Sequence, residues 1–141
     1  NLTADPKATI IADIVSAPQI PSDSYDCVIA TQVLQYVTDV NSAIQTMHRI
    51  LKPGGVLLCS FPGIAPLDKP DLAWNDQQHL TSYLARRVFP ALFSSADVVS
   101  HGNVLLATAF FYGIAAEELT LAEKEHADPM VEIVVTVRAV K

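Results

Sequence analysis

Cysteine, tryptophan, glycine and charge are all scarce in this 141-residue chain, which has two Cys, one Trp, five Gly and 17% charged residues. Cys27 and Cys59 lie in apolar runs, and neither has a Cys or His nearby at ligand spacing. That excludes a disulfide framework and a Cys/His metal site, and it predicts two buried, reduced thiols. Long hydrophobic runs are also missing. The most apolar stretch, Val104 to Ala116, is about 13 residues long, against the ~20 needed to span a bilayer. The opening Asn-Leu-Thr-Ala-Asp-Pro has neither a basic region nor an apolar one, so no secretory signal is visible and the expected location is cytoplasmic. A basic surplus is absent too. The formal net charge of −6 argues against a nucleic-acid partner, whose phosphates call for Lys and Arg. No G-x-S-x-G elbow and no G-x-G-x-x-G turn occurs, which excludes an elbow-type hydrolase and a dinucleotide-binding dehydrogenase.

What is present is apolar material: half of the residues are hydrophobic. Disorder is excluded on that ground. The length predicts one domain over residues 1–141, with enough core to fold without staples and with strands covered on both faces. Ala8 to Ala12 is short, β-branched and bounded by polar or turn-forming residues, which predicts a strand. Tyr25 to Ala30 reads as a second strand, buried on both faces as in a parallel sheet. From Thr38 to Lys52, Val40, Ala43, Ile44, Met47, Ile50 and Leu51 recur at helical spacing. Asn41, Gln45, His48 and Lys52 then fall on the wet face, Thr38 or Asp39 caps the start, and Pro53-Gly54-Gly55 stops the helix. Val56 to Phe61 follows as a third strand, which makes a βαβ unit. A helix over Ser82 to Leu92, capped by Thr81 and shortened by Pro90, leads to a strand near Asp97 to His101. The length and alanine content of Val104 to Ala116 favour a buried helix over a strand. Met130 to Val140 alternates and predicts a last strand. Strands alternating with helices define an open α/β sheet.

The residues Ala12-Asp13, Pro21-Ser22-Asp23-Ser24-Tyr25-Asp26-Cys27-Val28-Ile29, Val33-Leu34-Gln35-Tyr36-Val37 and His48-Arg49-Ile50-Leu51-Lys52-Pro53-Gly54-Gly55 occur in a telling order. Over roughly residues 8 to 63 the chain resembles the class I S-adenosylmethionine (SAM)-dependent methyltransferases of the small-molecule, type-11-like kind. The resemblance implies an open, mostly parallel Rossmann-like sheet closed by a C-terminal antiparallel hairpin. It also implies SAM as cofactor and roles residue by residue. Asp13 matches the carboxylate that accepts from the adenine amino group, and Ile14 lies against the adenine ring. Ala30, Thr31 and Gln32 match the strand edge between the methyl donor and the acceptor. Tyr36 falls where relatives place His or Tyr. Other roles are open to the same residues: Asp13 as a turn cap, and Thr31 and Gln32 as caps of the following helix. Lys52-Pro53-Gly54-Gly55 has a structural role in either case.

The family's Gly-rich loop and ribose-binding acidic residue have no counterpart here. Gly54, Gly55, Gly63, Gly102 and Gly113 all follow Asp13, and seven residues precede Ala8. The expectation is therefore a truncated C-terminal part of a methyltransferase domain, which is inactive alone unless completed. The alternative is a binding or dimerisation module derived from that fold. Either way the first two strands expose edges, which predicts that they pair with each other or that the chain forms a homodimer. Tyr36 and His79 are candidate bases, His79 because Trp74 and Asp76 are near it in sequence; a solvent-exposed loop position is the competing reading for His79. His101 is expected in a turn and His126 on a solvated acidic helix end. The acceptor is unidentified; Asp68, Asp71, Trp74, Gln77 and Gln78 suit a small polar molecule or a glycan.

Overall fold

The structure is a computed structural model and describes residues 7–66 and 77–141. Strand β1 spans Tyr25–Thr31, followed by a 3-10 turn at Leu34–Tyr36, helix α1 at Val40–Ile50 and strand β2 at Leu51–Pro62. Helix α2 covers Ser82–Val88 and strand β3 Ser95–His101. Helix α3 (Val104–Tyr112), a 3-10 turn (Ala116–Glu118) and helix α4 (Leu121–Glu125) then lead to strand β4, Val134–Val140.

The sheet order is β1-β2-β4-β3. β1 and β2 are parallel, and β4 pairs antiparallel with both β2 and β3. β3 therefore points the same way as β1 and β2. Thr31 sits opposite Ser60, while Pro62 and His101 both sit opposite Val134. The carboxyl ends of three strands thus share one rim with the start of β4, the edge at which open α/β sheets bind ligands. The antiparallel pair that closes the sheet is β3 with β4, and its connection carries α3 and α4.

One face of the sheet carries the core. Ala30, Leu57, Cys59, Phe61, Val98, Val135, Val137 and Ala139 alternate along the strands and pack with Ala43, Ile44, Met47, Ala85, Phe89 and Phe93. Helix α1 forms because its apolar residues recur at 3.6-residue spacing and Asp39 caps it, accepting from the Ser42 amide at 3.0 Å and the Ser42 hydroxyl at 2.7 Å. Those two bonds hold the Asp39 carboxyl below its ordinary range. Thr81 caps α2 through the Leu84 amide, and α2 stops at Val88, two residues ahead of Pro90.

Several expectations are corrected. Residues 8–12 are not a strand, and Ile10 and Ile11 are exposed. β-branching favours a strand only where a partner strand supplies the ladder, and among the described residues this segment has none. It does not pair with β1, so β1 stands at an edge of the described sheet. Nor is β1 buried on both faces: Ile29 is 69% exposed, with Leu58 and Val99 on the same open face. Cys27 shares that face and is exposed, whereas Cys59 faces the helices, where burial pushes its thiol up to about 12. α1 ends at Ile50, before Pro53, because Leu51 already pairs with Tyr25. Cys27 then pairs with Val56, so Lys52–Gly55 bulge outward, with Gly54 at φ +77° and Lys52 bonded to Asp26 at 2.9 Å. α3 is helical but largely exposed; Ala107 and Ala109 alone of its residues are buried.

Arg49 and His48 also depart from a simple wet face. The Arg49 guanidinium donates to the carbonyls of Ile20 at 2.6 Å, Ala17 at 2.9 Å and Ser16 at 3.2 Å. It thereby ties the turn after Asp13 to α1. His48 is half-buried with its ring edge-on to Phe93, centroids 5.0 Å apart. Desolvation, helped by the Lys141 charge and opposed by Asp23, lowers its pKa below the ordinary 6.5.

Arg49→Met should lower unfolding free energy by about 2 kcal/mol in denaturant titration, since three carbonyls lose a charged donor. Arg49→Lys should recover less than half of that, because an ammonium cannot reproduce the fork. An unchanged midpoint in both variants would remove Arg49 as the tie. His48 should titrate below 6.5 by NMR. Above 6.5 both folded and unfolded chains hold it neutral. As pH falls below that value the unfolded chain takes the proton first, so stability declines until the folded His48 is protonated too. His48→Gln should flatten stability across that window; an equally steep profile would contradict the assignment.

Candidate functional site

The site is built where β1 ends. After Thr31 the ladder continues for one more bond, from the Gln32 amide to the Ser60 carbonyl at 2.8 Å. Gln32 then takes φ +53°, a left-handed conformation that costs a non-glycine residue about 1 kcal/mol. This reversal sends the chain into the Leu34–Tyr36 turn. Leu34 is fully buried and anchors the turn, which brings Gln32, Gln35 and Tyr36 together above the strand ends. The turn has no side-chain cap, so the capping alternative for Thr31 and Gln32 does not hold.

Three polar side chains run in series here. Gln32 Nε2 donates to Ser60 Oγ at 3.3 Å, and Gln35 Nε2 donates to Gln32 Oε1 at 3.4 Å. Gln35 is 3% exposed, and its Oε1 has no hydrogen-bond partner among the described residues. An unmet buried acceptor costs about 1–3 kcal/mol, which marks it as unusual. Asn103 shows the contrast. Equally buried, it accepts from the Leu106 amide at 2.8 Å and donates to the carbonyls of Glu123 and His126 at 2.9 and 2.8 Å. It caps α3 and ties α4 to it with every group used.

Two cavities lie at the rim. One, of about 420 Å³, is lined by Gln32, Gln35, Tyr36, Pro62, Phe110 and Ile133, among others. The other, of about 340 Å³, is lined mainly by Leu106, Ala109, Phe110, Ile114, Leu119 and Ile133. Phe110, Ile133 and Val134 are common to both. Among the described residues neither has an Asp, Glu, Lys or Arg in its lining. The wall they share is positioned by the Gly63 amide, which donates to the Ile133 carbonyl at 3.0 Å. A Cβ on Gly63 would stand 2.4 Å from the Glu132 carbonyl oxygen, so only glycine permits that approach.

The expected site residues divide. Gln32 and Tyr36 meet at the first cavity. Asp13 lies on an exposed turn, accepting from the Val15 amide at 3.0 Å, and Ile14 packs against the core. Asp13 therefore fills the turn-cap role. Ala30 points into the core and Thr31 is exposed at the end of β1; neither lines either cavity. His79 is exposed in the segment that the Gln35 carbonyl holds through the Gln77 and Gln78 amides, at 2.7 and 3.3 Å. It lines neither cavity, and the expected neighbours Trp74 and Asp76, with Asp68 and Asp71, lie outside the described residues. His101 ends β3 rather than a turn, and its Nε2 lies 2.9 Å from Thr136 Oγ1. Sequence reasoning passed over Gln35, Phe110 and Ile133. For Gln35 a signal existed: a Gln between Leu34 and Tyr36, just after a buried strand, is a polar side chain with nowhere wet to go.

Three strands pointing one way, with β4 inserted antiparallel between β2 and β3 and a ligand-sized rim at the carboxyl ends, define an open α/β-sheet domain. Residues 2–59 match the family described as "Methyltransferase domain". The ubiquinone/menaquinone biosynthesis C-methyltransferase UbiE of Escherichia coli is 44% identical over 52 residues, which are 35% of this chain and 21% of that protein. The chain thus spans about a fifth of the length of the curated relatives it matches. A SAM-dependent methyltransferase from Archaeoglobus fulgidus superposes with a TM-score of 0.60 at 9% identity, covering 94% of this chain and 66% of that one. A possible histamine N-methyltransferase from Thermotoga maritima gives 0.58 at 19%, covering 94% and 63%. The [4+2]-cyclase SpnF gives 0.57 at 20%, covering 94% and 54%. The match to the methyltransferase family lies within residues 2–59, and the described residues carry the fold of these solved structures. Among the described residues, no helix is long and apolar enough to cross a membrane.

Gln32→Gly should change stability by less than about 1 kcal/mol, since relief of the left-handed strain offsets the lost side-chain bonds. Gln32→Val should destabilise by about 2 kcal/mol or more, because β-branching worsens the strain. Equal losses for the two in denaturant unfolding would show that the turn does not depend on this conformation.

Proposed function

We propose that this chain is the acceptor-side part of a SAM-dependent methyltransferase, acting as one unit over residues 1–141, with the rim cavity at Gln32, Gln35 and Tyr36 as its acceptor site. The observation that carries this reading is the cavity's place. It opens at the carboxyl ends of β1 and β2, and Gln32, Gln35 and Tyr36 all fall inside the segment that matches the methyltransferase domain. The substrate is a small molecule with a polar group, and the site of action is the cytoplasm.

The residues fit SAM in part. The exposed Asp13 carboxylate uses Oδ1 in its turn and keeps Oδ2 available for an adenine amino group, with Ile14 beside it in sequence; Ala30 and Thr31 form the adjoining strand edge. Residues 1–141 include no counterpart of the glycine turn that would receive the ribose and methionine portions. SAM, when bound, supplies an electrophilic methyl group. What this chain's residues contribute is alignment: Gln32, held through Ser60, and Tyr36 fix the acceptor against the rim, a proximity effect. Tyr36, 41% exposed at the cavity mouth, is better situated than His79 to hydrogen-bond a bound acceptor.

A second reading, a non-catalytic binding or dimerisation module, is favoured by one observation. β1 is an unpaired edge whose open face carries Ile29 at 69% exposure, a natural place for a second copy or another chain to add a strand.

Isothermal titration of the chain with SAM and S-adenosylhomocysteine separates the two. Micromolar binding is the outcome expected of the methyltransferase reading. Absence of binding at millimolar ligand would sink it for this chain, and a concentration-dependent dimer in light scattering would then favour the module.

A further inference from the structure

Ser60, Gln32 and Gln35 form a hydrogen-bond series with a direction. Each glutamine donates one Nε2 N–H toward the sheet, Gln32 to Ser60 Oγ and Gln35 to Gln32 Oε1. The buried atom of the series left without a partner is an acceptor, Gln35 Oε1, in a residue that is 3% exposed and lines the larger cavity. Such an atom calls for a donor from outside the chain. Among the described residues the lining carries no charged side chain, which favours a hydroxyl or a neutral N–H over an ion, whose charge these residues would leave uncompensated. The second cavity shares Phe110, Ile133 and Val134 with the first and is lined chiefly by aliphatic residues of α3 and the segment after it. Apolar lining of that kind favours an apolar occupant.

From these two chambers we infer that the site takes an amphiphile, whose hydroxyl or N–H donates to Gln35 Oε1 and whose apolar portion lies across Phe110 in the chamber of Leu106, Ile114 and Leu119. The inference rests on the reading of this rim as the acceptor site and names its substrate class. It replaces a freely soluble sugar with a molecule of two unlike ends.

Neutral 1-alkanols from butanol to octanol, each paired with its methyl ether, serve as probes in NMR titration of the full chain. The alcohols should bind roughly tenfold tighter than the ethers, the difference one hydrogen bond to a buried acceptor makes. Affinity should rise roughly threefold to fourfold per methylene while the tail fills the second chamber. Gln35→Leu keeps the volume and removes the acceptor, so the alcohol should lose its preference over the ether to within twofold. Ile114→Trp should abolish the dependence on chain length and leave the alcohol preference intact. Alcohols and ethers binding alike to the wild-type chain, or a preference that survives in Gln35→Leu, would overturn the inference. The wild-type comparison decides even if Gln35→Leu fails to fold. S-adenosylhomocysteine is titrated in parallel: alcohol preference without nucleoside binding sinks the methyltransferase reading alone, and nucleoside binding without alcohol preference sinks this inference alone.

Discussion

β4 runs antiparallel between two strands that point the other way, and the geometry of the site follows from that pairing. Its ladder with β2 on one side and β3 on the other brings Pro62, His101 and Val134 to one level. A hydrogen-bonded ladder holds register to the residue, and a slip of one would turn Val135, Val137 and Ala139 out of the core. The same ladder sets Ile133, just ahead of β4, between the amide of Gly63 and the carbonyl of His101. Both cavities use Ile133 and Val134 as wall. The rim is thus a by-product of sheet registry, with the turn at Gln32 laid over it.

Charged side chains do a second kind of work, bonding to backbone carbonyls more than to opposite charges. Arg49 gathers the carbonyls of residues 16, 17 and 20. Lys141, at the last position of the chain, reaches the Leu51 carbonyl and Asp23 Oδ1, each at 2.7 Å. Exposed ion pairs such as Lys52 with Asp26 contribute little by comparison. Carbonyls in the turn and at the helix end lack ladder partners, and a positive side chain satisfies several of them at once. Arg49, in the His48-to-Gly55 motif, is therefore architectural. It holds the turn after Asp13 in place, and neither it nor Lys52 lines either rim cavity.

The site combines polar series and apolar wall in a way the fold alone does not require. The same architecture carries methyltransferases and, in SpnF, a [4+2]-cyclase, so the sheet defines where chemistry occurs and not which reaction. The features that bear on chemistry in this chain are local. Gln35 is buried with an acceptor unmet, while Asn103, buried to the same degree, has every group paired.

Helix α1, its Asp39 cap, α2 with Thr81, and strands β2, β3 and β4 were legible in the sequence because each depends on short-range periodicity and capping chemistry. The methyltransferase resemblance was legible for a related reason: its residues sit in one continuous stretch. Residues 8–12 misled because β propensity says nothing about whether a partner strand stands alongside. Cys27 and His48 misled because exposure depends on which side of the sheet the helices occupy and on what Phe93 touches. Gln32 and Tyr36 could be named from sequence, yet their meeting with Phe110 and Ile133 could not, since those residues lie more than 70 positions away. By itself the sequence determined the elements and the family they resemble. Only the tertiary structure decided the open face, the free edge of β1 and the chamber around Gln35, because each arises from which distant segments pack together and which side chains that packing leaves unmatched.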